Sequence, residues 1–194
     1  PLLYGEVYTH SQAEEFCKNN NEHLPSYHEL LHVVSSLPEG IYWTSTQLAN
    51  STTDFFAVSA NKETNSYNSN EKFSVSCIKS QKKSSVSPFY SQNHTILDKE
   101  TSLLWERKTP HTKKERYTFD KALQYCEDLK INGGGWHLPT LEELSTIVNP
   151  SKVAPSTFEP FNDTIFKYYW TSTNSPVPFS NEAYVIGFRI GSIA

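Results

Sequence analysis

Apolar residues recur at helical spacing in four short segments of the chain. Two segments place an alanine, an aromatic residue and a cysteine at positions i, i+3 and i+4, and two others carry an apolar stripe after a Leu-Pro pair. Spacings of three and four residues put side chains on one face of a helix. The pattern predicts two pairs of amphipathic helices, with these buried faces: Ala13, Phe16 and Cys17; Tyr27, Leu30, Leu31 and Val34; Ala122, Tyr125 and Cys126; Leu141, Leu144 and Val148.

Each predicted helix follows a residue that can cap it. Thr9 and Thr118 precede the first helix of each pair. The second helices begin with Ser-x-x-Glu and Thr-x-x-Glu, the capping-box pattern in which hydroxyl and carboxylate bond to each other's backbone N–H groups. We therefore expect Glu29 and Glu143 to be structural residues.

Strand patterns follow the helices. Tyr-Trp-Thr-Ser-Thr at residues 42–46 recurs without change at 169–173, and its aromatic and hydroxyl side chains favour a strand. Alternating stretches at 55–59 and 73–77 predict two more strands, with a polar loop over 61–72 between them. The predicted fold class is α+β, with each helix pair packed on a small antiparallel sheet.

The blocks occur twice in the same order, which indicates a tandem repeat. Residues 1–80 form the first predicted copy, 81–91 a linker, and 92–194 the second copy. The first copy lacks a leading hairpin, and the second lacks a counterpart of the strand at 73–77. We therefore expect the native chain to extend beyond 194.

Residues 28–32 read His-Glu-Leu-Leu-His, the pattern of zinc hydrolases in which two histidines bind the metal and the glutamate acts as base. In the second copy only the glutamate recurs, as Glu143, and a helix cap explains it. We expect no metal or other cofactor and no enzymatic activity. A zinc hydrolase at His28, Glu29 and His32 remains the third functional hypothesis.

The three cysteines occur without a C-x-x-C motif, which favours a structural role. A Cys17–Cys77 disulfide would join the first helix to the last strand of copy one, in an oxidising compartment. Reduced, buried cysteines are the alternative. Cys126 is the counterpart of Cys17, and either a cysteine beyond residue 194 or a thiol is expected there.

Composition narrows the class of protein. The chain has 194 residues and a formal net charge of −4, so a nucleic-acid partner is not expected. It has no run of 18 apolar residues that could span a membrane. Its basic stretch includes Lys113, Lys114 and Arg116, either as a solvated loop or as a surface for an anionic ligand.

Several motifs of the second half resemble the bacterial Lcl C-terminal domain family. They run Asp-Lys-Glu-Thr-Ser-Leu-Leu-Trp at 98–105, Ala-Leu-Gln-Tyr-Cys at 122–126, Trp-His-Leu-Pro-Thr at 136–140, and Tyr-Trp-Thr-Ser-Thr at 169–173. Ser102 stands where the family usually has glycine, and His137 where it has arginine. The resemblance implies tandem C-type-lectin-like domains and extracytoplasmic bacterial proteins. Some members are attached to collagen-like adhesins that bind glycosaminoglycans, and no common enzymatic activity is implied.

Candidate binding residues lie where the two copies differ. The second copy has insertions at 106–116, 131–135 and 150–167, and loop insertions often carry specificity. Phe158 and Phe161 in the third insertion are interpreted as packing residues or as part of a ligand-contacting lid. Trp43 and Trp170 are expected to be core anchors.

The sequence favours a non-enzymatic, extracytoplasmic bacterial binding or adhesion module that recognises a glycan or a protein partner. Its best candidate contacts are Lys113, Lys114 and Arg116 with Phe158 and Phe161. The second hypothesis is a structural or assembly subunit of a cell-envelope complex.

Overall fold

The fold is mixed α+β, as the sequence predicts. The computed structural model describes residues 6–79, 88–107, 115–175 and 183–194. Within these ranges the chain forms four α-helices and small antiparallel sheets, in this order: α1 His10–Asn19, α2 Tyr27–Val33, β1 Ile41–Gln47, β2 Asp54–Ser59, β3 Thr64–Asn68, β4 Phe89–Ser91, β5 Thr95–Asp98, β6 Leu104–Glu106, α3 Phe119–Asp128, α4 Leu141–Ser145, β7 Tyr168–Asn174, β8 Ala183–Gly187 and β9 Ser192–Ile193.

The described residues divide into two compact units. The first comprises 6–79 with Pro150–Val153 and Ser192–Ala194, and the second lies within 88–149 and Ala154–Gly191. In the first unit the sheet order is β1–β2–β3. The second unit contains the β4–β5–β6 meander and the antiparallel β7–β8 pair.

The helices begin at the predicted caps. Complete capping boxes start α2 at Ser26 and α4 at Thr140, so Glu29 and Glu143 have the structural role that the sequence predicts. Thr9 also forms a capping box, with Gln12. Thr118 occupies the N-cap position of α3, but its side chain makes no capping hydrogen bond.

The strands β1 and β7 are each tied to the helix that precedes them by the same hydroxyl contact. Thr46 Oγ1 accepts a hydrogen bond from the backbone N–H of Tyr27 at 2.9 Å, and Thr173 Oγ1 accepts one from Leu141 at 2.9 Å. Each bond satisfies a backbone donor in the first turn of a helix, where donors have no partner within the helix. The repeated Thr-Ser-Thr sequence therefore joins strand to helix in both units.

The indole groups of the repeated strands also make equivalent bonds. Trp43 Nε1 donates to the Tyr8 carbonyl at 2.8 Å, and Trp170 Nε1 donates to the Tyr117 carbonyl at 3.0 Å. Trp43 is fully buried, as predicted. Trp170 is only half-buried, so its role as a core anchor is incomplete.

Two predictions about the first sheet need correction. The segment 61–72 was expected to be a loop, but it contains β3, which pairs with β2 along its length. The strand was not predicted because its residues are mostly polar and only Thr64 is buried, so it has no alternating apolar pattern. The predicted strand at 73–77 is instead an irregular extended segment, held by isolated bridges from Phe73 to Tyr8, Ser74 to Tyr42 and Ile78 to His23.

The predicted Cys17–Cys77 disulfide is present in the first unit. Cys17 lies fully buried beside Trp43, and Phe73 packs edge-on against the indole with ring centroids 4.8 Å apart. Because the disulfide and Phe73 lie on the same segment, residues 73–78 close one side of this core.

Candidate functional site

The second unit contains a cavity of about 460 Å³. Its walls are contributed by β6, α3, β7 and the Leu-Pro segment before α4. Residues from all three insertions of the second copy also line it, in the ranges 106–107 with 115–116, 131–135, and 161–167. Segments that lie far apart in sequence are thus brought to one place.

Aromatic side chains dominate the cavity wall. Trp105, Trp136 and Trp170 all line it, and each is half-buried. The indole nitrogen of Trp105 is buried and finds no hydrogen-bond acceptor among the described residues. Half-exposed aromatic faces around a cavity are typical of a ligand-binding site.

Two tyrosines form a polar cluster at one side of the cavity. Tyr125 donates a hydrogen bond to Glu106 Oε1 at 2.6 Å and packs against Tyr117, with ring centroids 5.1 Å apart. Tyr117 in turn bonds to Glu115. Burial and these carboxylates raise the pKa of Tyr117 to about 12 and raise that of Tyr125 further. Both hydroxyls therefore stay protonated near neutral pH and act as donors.

His137 lies at the mouth of the cavity, where the family usually has arginine. Its Nε2 is 3.1 Å from a carboxylate oxygen of Glu143, the capping glutamate of α4. Burial tends to raise the pKa of Glu143, but hydrogen bonds from Thr140 and His137 outweigh this and lower it. The imidazole thus contacts the capping carboxylate at the helix start, a contact that an arginine side chain could also make.

Charged side chains of both signs are among the other residues that line the cavity. Arg107 pairs loosely with Asp163 at 4.0 Å, and Arg116 is exposed beside Glu115. Lys167 lines the cavity as well. The predicted basic contacts are thus represented here by Arg116, whereas Lys113 and Lys114 lie outside the described residues.

The two predicted aromatic contacts have different surroundings. Phe161 is buried at the cavity wall and packs edge-on against Phe89 and Trp105. Phe158 is half-buried and packs near Phe89, with centroids 6.0 Å apart. Both phenylalanines thus make packing contacts, and of the two Phe161 lines the cavity.

The His-Glu-Leu-Leu-His segment of the first unit lies at the capped start of α2. Glu29 accepts hydrogen bonds from the backbone N–H and hydroxyl of Ser26 at 2.9 and 2.7 Å. His28 is half-buried and its ring packs edge-on against Tyr27, while His32 is exposed. The described ranges contain no group of three His, Cys, Asp or Glu side chains arranged to hold a metal ion.

Several cavity residues were not singled out as binding residues from the sequence. From the sequence, Trp105 and Trp136 are placed in motifs and Tyr125 on a helix face, and Tyr117 is not singled out. Trp105, Tyr117 and Trp136 lie directly beside insertions of the second copy, and this position is the signal that could have identified them.

The leading meander explains one family motif. Asp98 is buried, and its carboxylate accepts bonds from the Glu100 backbone N–H at 2.9 Å and the Thr101 hydroxyl at 2.7 Å. Ser102 follows with a φ of 62°, a conformation that glycine adopts without steric cost. Aspartate and threonine thus hold the turn, and the family's usual glycine suits its last position.

Among the described residues, no helix is both long and apolar enough to cross a membrane.

Comparison with known proteins gives one family. A search of curated proteins finds no match to the chain. The model of the Lcl C-terminal domain family matches residues 94–194, from β5 to the end of the chain, as a single copy. This range is more than half of the sequence and contains the motifs described above, so the chain belongs to the Lcl C-terminal domain family.

Proposed function

We propose that the protein is a non-enzymatic binding module whose ligand occupies the aromatic cavity of the second unit. The observation that carries the proposal is the convergence of three half-buried tryptophans and all three insertions on this cavity. A large cavity with aromatic walls and a few directed polar groups is the usual place of a ligand in a protein of this size.

The proposal includes a tandem arrangement of two C-type-lectin-like domains. The hydroxyl and indole contacts of β1 recur in β7, and both Leu-Pro segments lead into capped helices. These contacts depend on side chains that are identical or similar at matching positions. They support a common ancestor for the two halves, although the family match covers only the second.

An extracytoplasmic location is the third part of the proposal. The Cys17–Cys77 disulfide supports it, because such bonds persist in oxidising compartments and are rare in the cytosol. The resemblance described above implies the same location for bacterial members of the family.

An acidic glycan is the leading ligand for this module. Aromatic faces in the cavity offer flat apolar surfaces on which sugar rings can stack, and Arg107, Arg116 and Lys167 add positive charge around them. Since Lys113 and Lys114 precede Arg116 closely in sequence, the triplet is the strongest local source of positive charge. Carboxylates among the lining residues offset part of this positive charge.

Calorimetry with a heparin-derived hexasaccharide tests this assignment. We expect the variant Lys113→Ala, Lys114→Ala, Arg116→Ala to bind at least about tenfold more weakly, the equivalent of about 1.4 kcal/mol. The matched control replaces Lys18, Lys72 and Lys79 by alanine, which removes the same charge from exposed positions of the first unit. Equal losses in both variants, or unchanged binding in the first, would show that the site is assigned wrongly.

An assembly role in a cell-envelope complex is the second candidate. It is favoured by a specific correspondence. Tyr8, His23 and Trp43 bond to residues 73–78 through their backbones in the first unit. Their counterparts in the repeat, Tyr117, His137 and Trp170, line the cavity of the second unit. A protein partner would then take the place of a glycan.

A further inference from the structure

One wall of the cavity carries two tyrosines that bond to two carboxylates. Tyr125, on α3, donates to Glu106 Oε1 at 2.6 Å, and Tyr117 donates to Glu115. The two phenol rings pack against each other with centroids 5.1 Å apart. All four side chains line the cavity and form one connected group there, which we call the glutamate–tyrosine cluster.

The electrostatic field of this cluster favours positive charge. Burial is the main cause of the raised pKa of Tyr117, and the carboxylates of Glu115 and Glu106 raise it further. Both carboxylates therefore act on one phenol group, where they disfavour the negatively charged phenolate. For the same reason a cation is stabilised at this place.

Aromatic surface adds to this preference. Tyr117, Tyr125 and Trp170 are half-buried residues of the cavity wall, and the Trp170 indole donates to the Tyr117 carbonyl at 3.0 Å. The faces of tyrosine and tryptophan rings attract an ammonium group that lies within about 6 Å of the ring centre. Carboxylates and aromatic faces together are thus suited to a cation rather than to an acidic group.

The carboxylates also indicate which kind of cation fits. A carboxylate has about four sites at which it accepts hydrogen bonds, so Glu106 can accept from an ammonium group as well as from Tyr125. A primary ammonium group has three N–H donors for such bonds, whereas a quaternary ammonium group has none. The glutamate–tyrosine cluster therefore favours a primary amine.

Basic side chains line the same cavity. They are Arg107, Arg116 and Lys167, and Arg107 is 4.0 Å from Asp163. A purely acidic ligand would be attracted by these side chains but repelled at the glutamate–tyrosine cluster, because like charges repel at short range. A ligand with charges of both signs matches the whole cavity.

We infer that the acidic glycan bound in this cavity contains an unsubstituted amino sugar, whose ammonium group lies against the glutamate–tyrosine cluster. The acidic groups of the glycan then lie towards Arg107, Arg116 and Lys167. This inference rests on the proposed function, because it specifies the ligand of the same cavity.

Two derivatives of the heparin hexasaccharide test the inference. The first has its N-sulfates removed, which leaves primary amines, and the second has those amines acetylated. We expect calorimetry with the full chain, in a buffer that keeps the amines protonated, to show at least about tenfold tighter binding of the amine form. Attraction to the basic side chains alone would give the reverse order, because the acetylated form has the larger net negative charge. Equal binding, or tighter binding of the acetylated form, would overturn the inference.

Two variants locate the ammonium group. Glu106→Gln, Glu115→Gln removes both charges but keeps oxygens that can accept from the two phenols, so we expect the preference for the amine form to fall below about twofold. The control Glu63→Gln, Glu71→Gln removes two exposed carboxylates of the first unit and should keep the preference. Retained binding of the acetylated form shows that each variant is folded. An undiminished preference in the first variant would also overturn the inference.

The amino sugar and the glycan ligand fail in different ways. Binding of the heparin hexasaccharide without a preference for the amine form refutes the amino sugar and keeps the glycan ligand. If neither the hexasaccharide nor its derivatives bind, both are refuted. The comparison of the two derivatives uses the unmodified chain, so it decides the question even if the glutamine variant is unstable.

Discussion

His10 is a buried polar residue of the first unit, and its contacts there are structural. The imidazole is 2% exposed, stacks on Phe55 with centroids 3.5 Å apart, and bonds through Nε2 to the Thr44 carbonyl at 2.9 Å. A carbonyl can only accept, so Nε2 carries the proton in the neutral ring. His10 therefore links α1 to β1 inside the first core.

The stability of the first unit should depend on pH through His10. Burial lowers the pKa of this imidazole, and the Thr44 carbonyl and Glu14 offset only part of the effect. The neutral ring is therefore favoured in the folded state, and its contribution is complete above the unfolded pKa of about 6.5. As the pH falls below that value, the unfolded chain takes up a proton first, so stability falls by at most about 1.4 kcal/mol per pH unit.

Hydrogen exchange on peptides from residues 6–79, measured between pH 7.5 and 5, should show this loss after correction for intrinsic exchange rates. His10→Gln can still donate to the Thr44 carbonyl but does not titrate, so we expect a flatter pH dependence. The control His32→Gln changes an exposed histidine of α2 and should keep the wild-type slope. An unchanged slope in His10→Gln would refute the assignment.

At the scale of elements, the repeated structure is a capped helix joined to a strand. The cap satisfies backbone donors at the helix start, and the strand supplies one more acceptor through Thr46 or Thr173. The capping bonds join residues three positions apart, and the remaining bond comes from the Thr-Ser-Thr motif of the strand. Few residues therefore specify where each of these helices begins. The same device occurs in both units.

Two threonines of the second unit give a matched test of the caps. Thr140 Oγ1 accepts from the Glu143 backbone N–H at 3.1 Å, whereas the Thr118 side chain makes no capping bond. We expect Thr140→Ala to lower the free energy of unfolding by about 1 kcal/mol and Thr118→Ala to change it by less than about 0.5 kcal/mol. Urea denaturation followed by circular dichroism measures both, and equal effects would contradict the capping account.

Sequence patterns predicted those elements that are held by hydrogen bonds between residues close together in the sequence. Glu29 and Glu143 were assigned correctly because a capping box lies within four residues. The strand β3 was missed because an edge strand with polar residues has no apolar alternation, and its pairing with β2 is what defines it. The cavity was missed for a similar reason, since its walls come from segments whose aromatic residues each resemble core residues.

On the scale of the molecule, the two units differ most at their cysteines. The disulfide of the first unit closes a loop between residues 60 positions apart and holds residues 73–78 against the core. The second unit keeps the thiol of Cys126 at the wall of its cavity. The first unit is thus closed by its own segment, whereas the counterparts of Trp43 and Cys17 in the second unit line a cavity.

Reduction should therefore weaken the first unit selectively. In the chain-entropy model, opening a loop of this length costs about 4 kcal/mol of stability. We expect dithiothreitol to lower the free energy of opening by about that amount in hydrogen exchange of peptides from 6–79, with a smaller change in peptides from 115–175. The Cys17→Ser, Cys77→Ser variant should be as unstable as reduced protein and insensitive to dithiothreitol. A wild-type protein that is insensitive as well would argue against the disulfide.

The four tryptophans allow the central claim to be tested by one measurement. Trp105, Trp136 and Trp170 line the cavity of the second unit, whereas Trp43 is fully buried in the first. Their indole N–H signals can be followed by nitrogen-15 NMR and assigned with single Trp→Phe variants, during titration with the heparin hexasaccharide. A ligand in the cavity should shift the signals of Trp105, Trp136 and Trp170 in a saturable way and leave that of Trp43 in place. Shifts confined to Trp43, or saturable binding of the hexasaccharide without movement of the three cavity signals, would contradict the account.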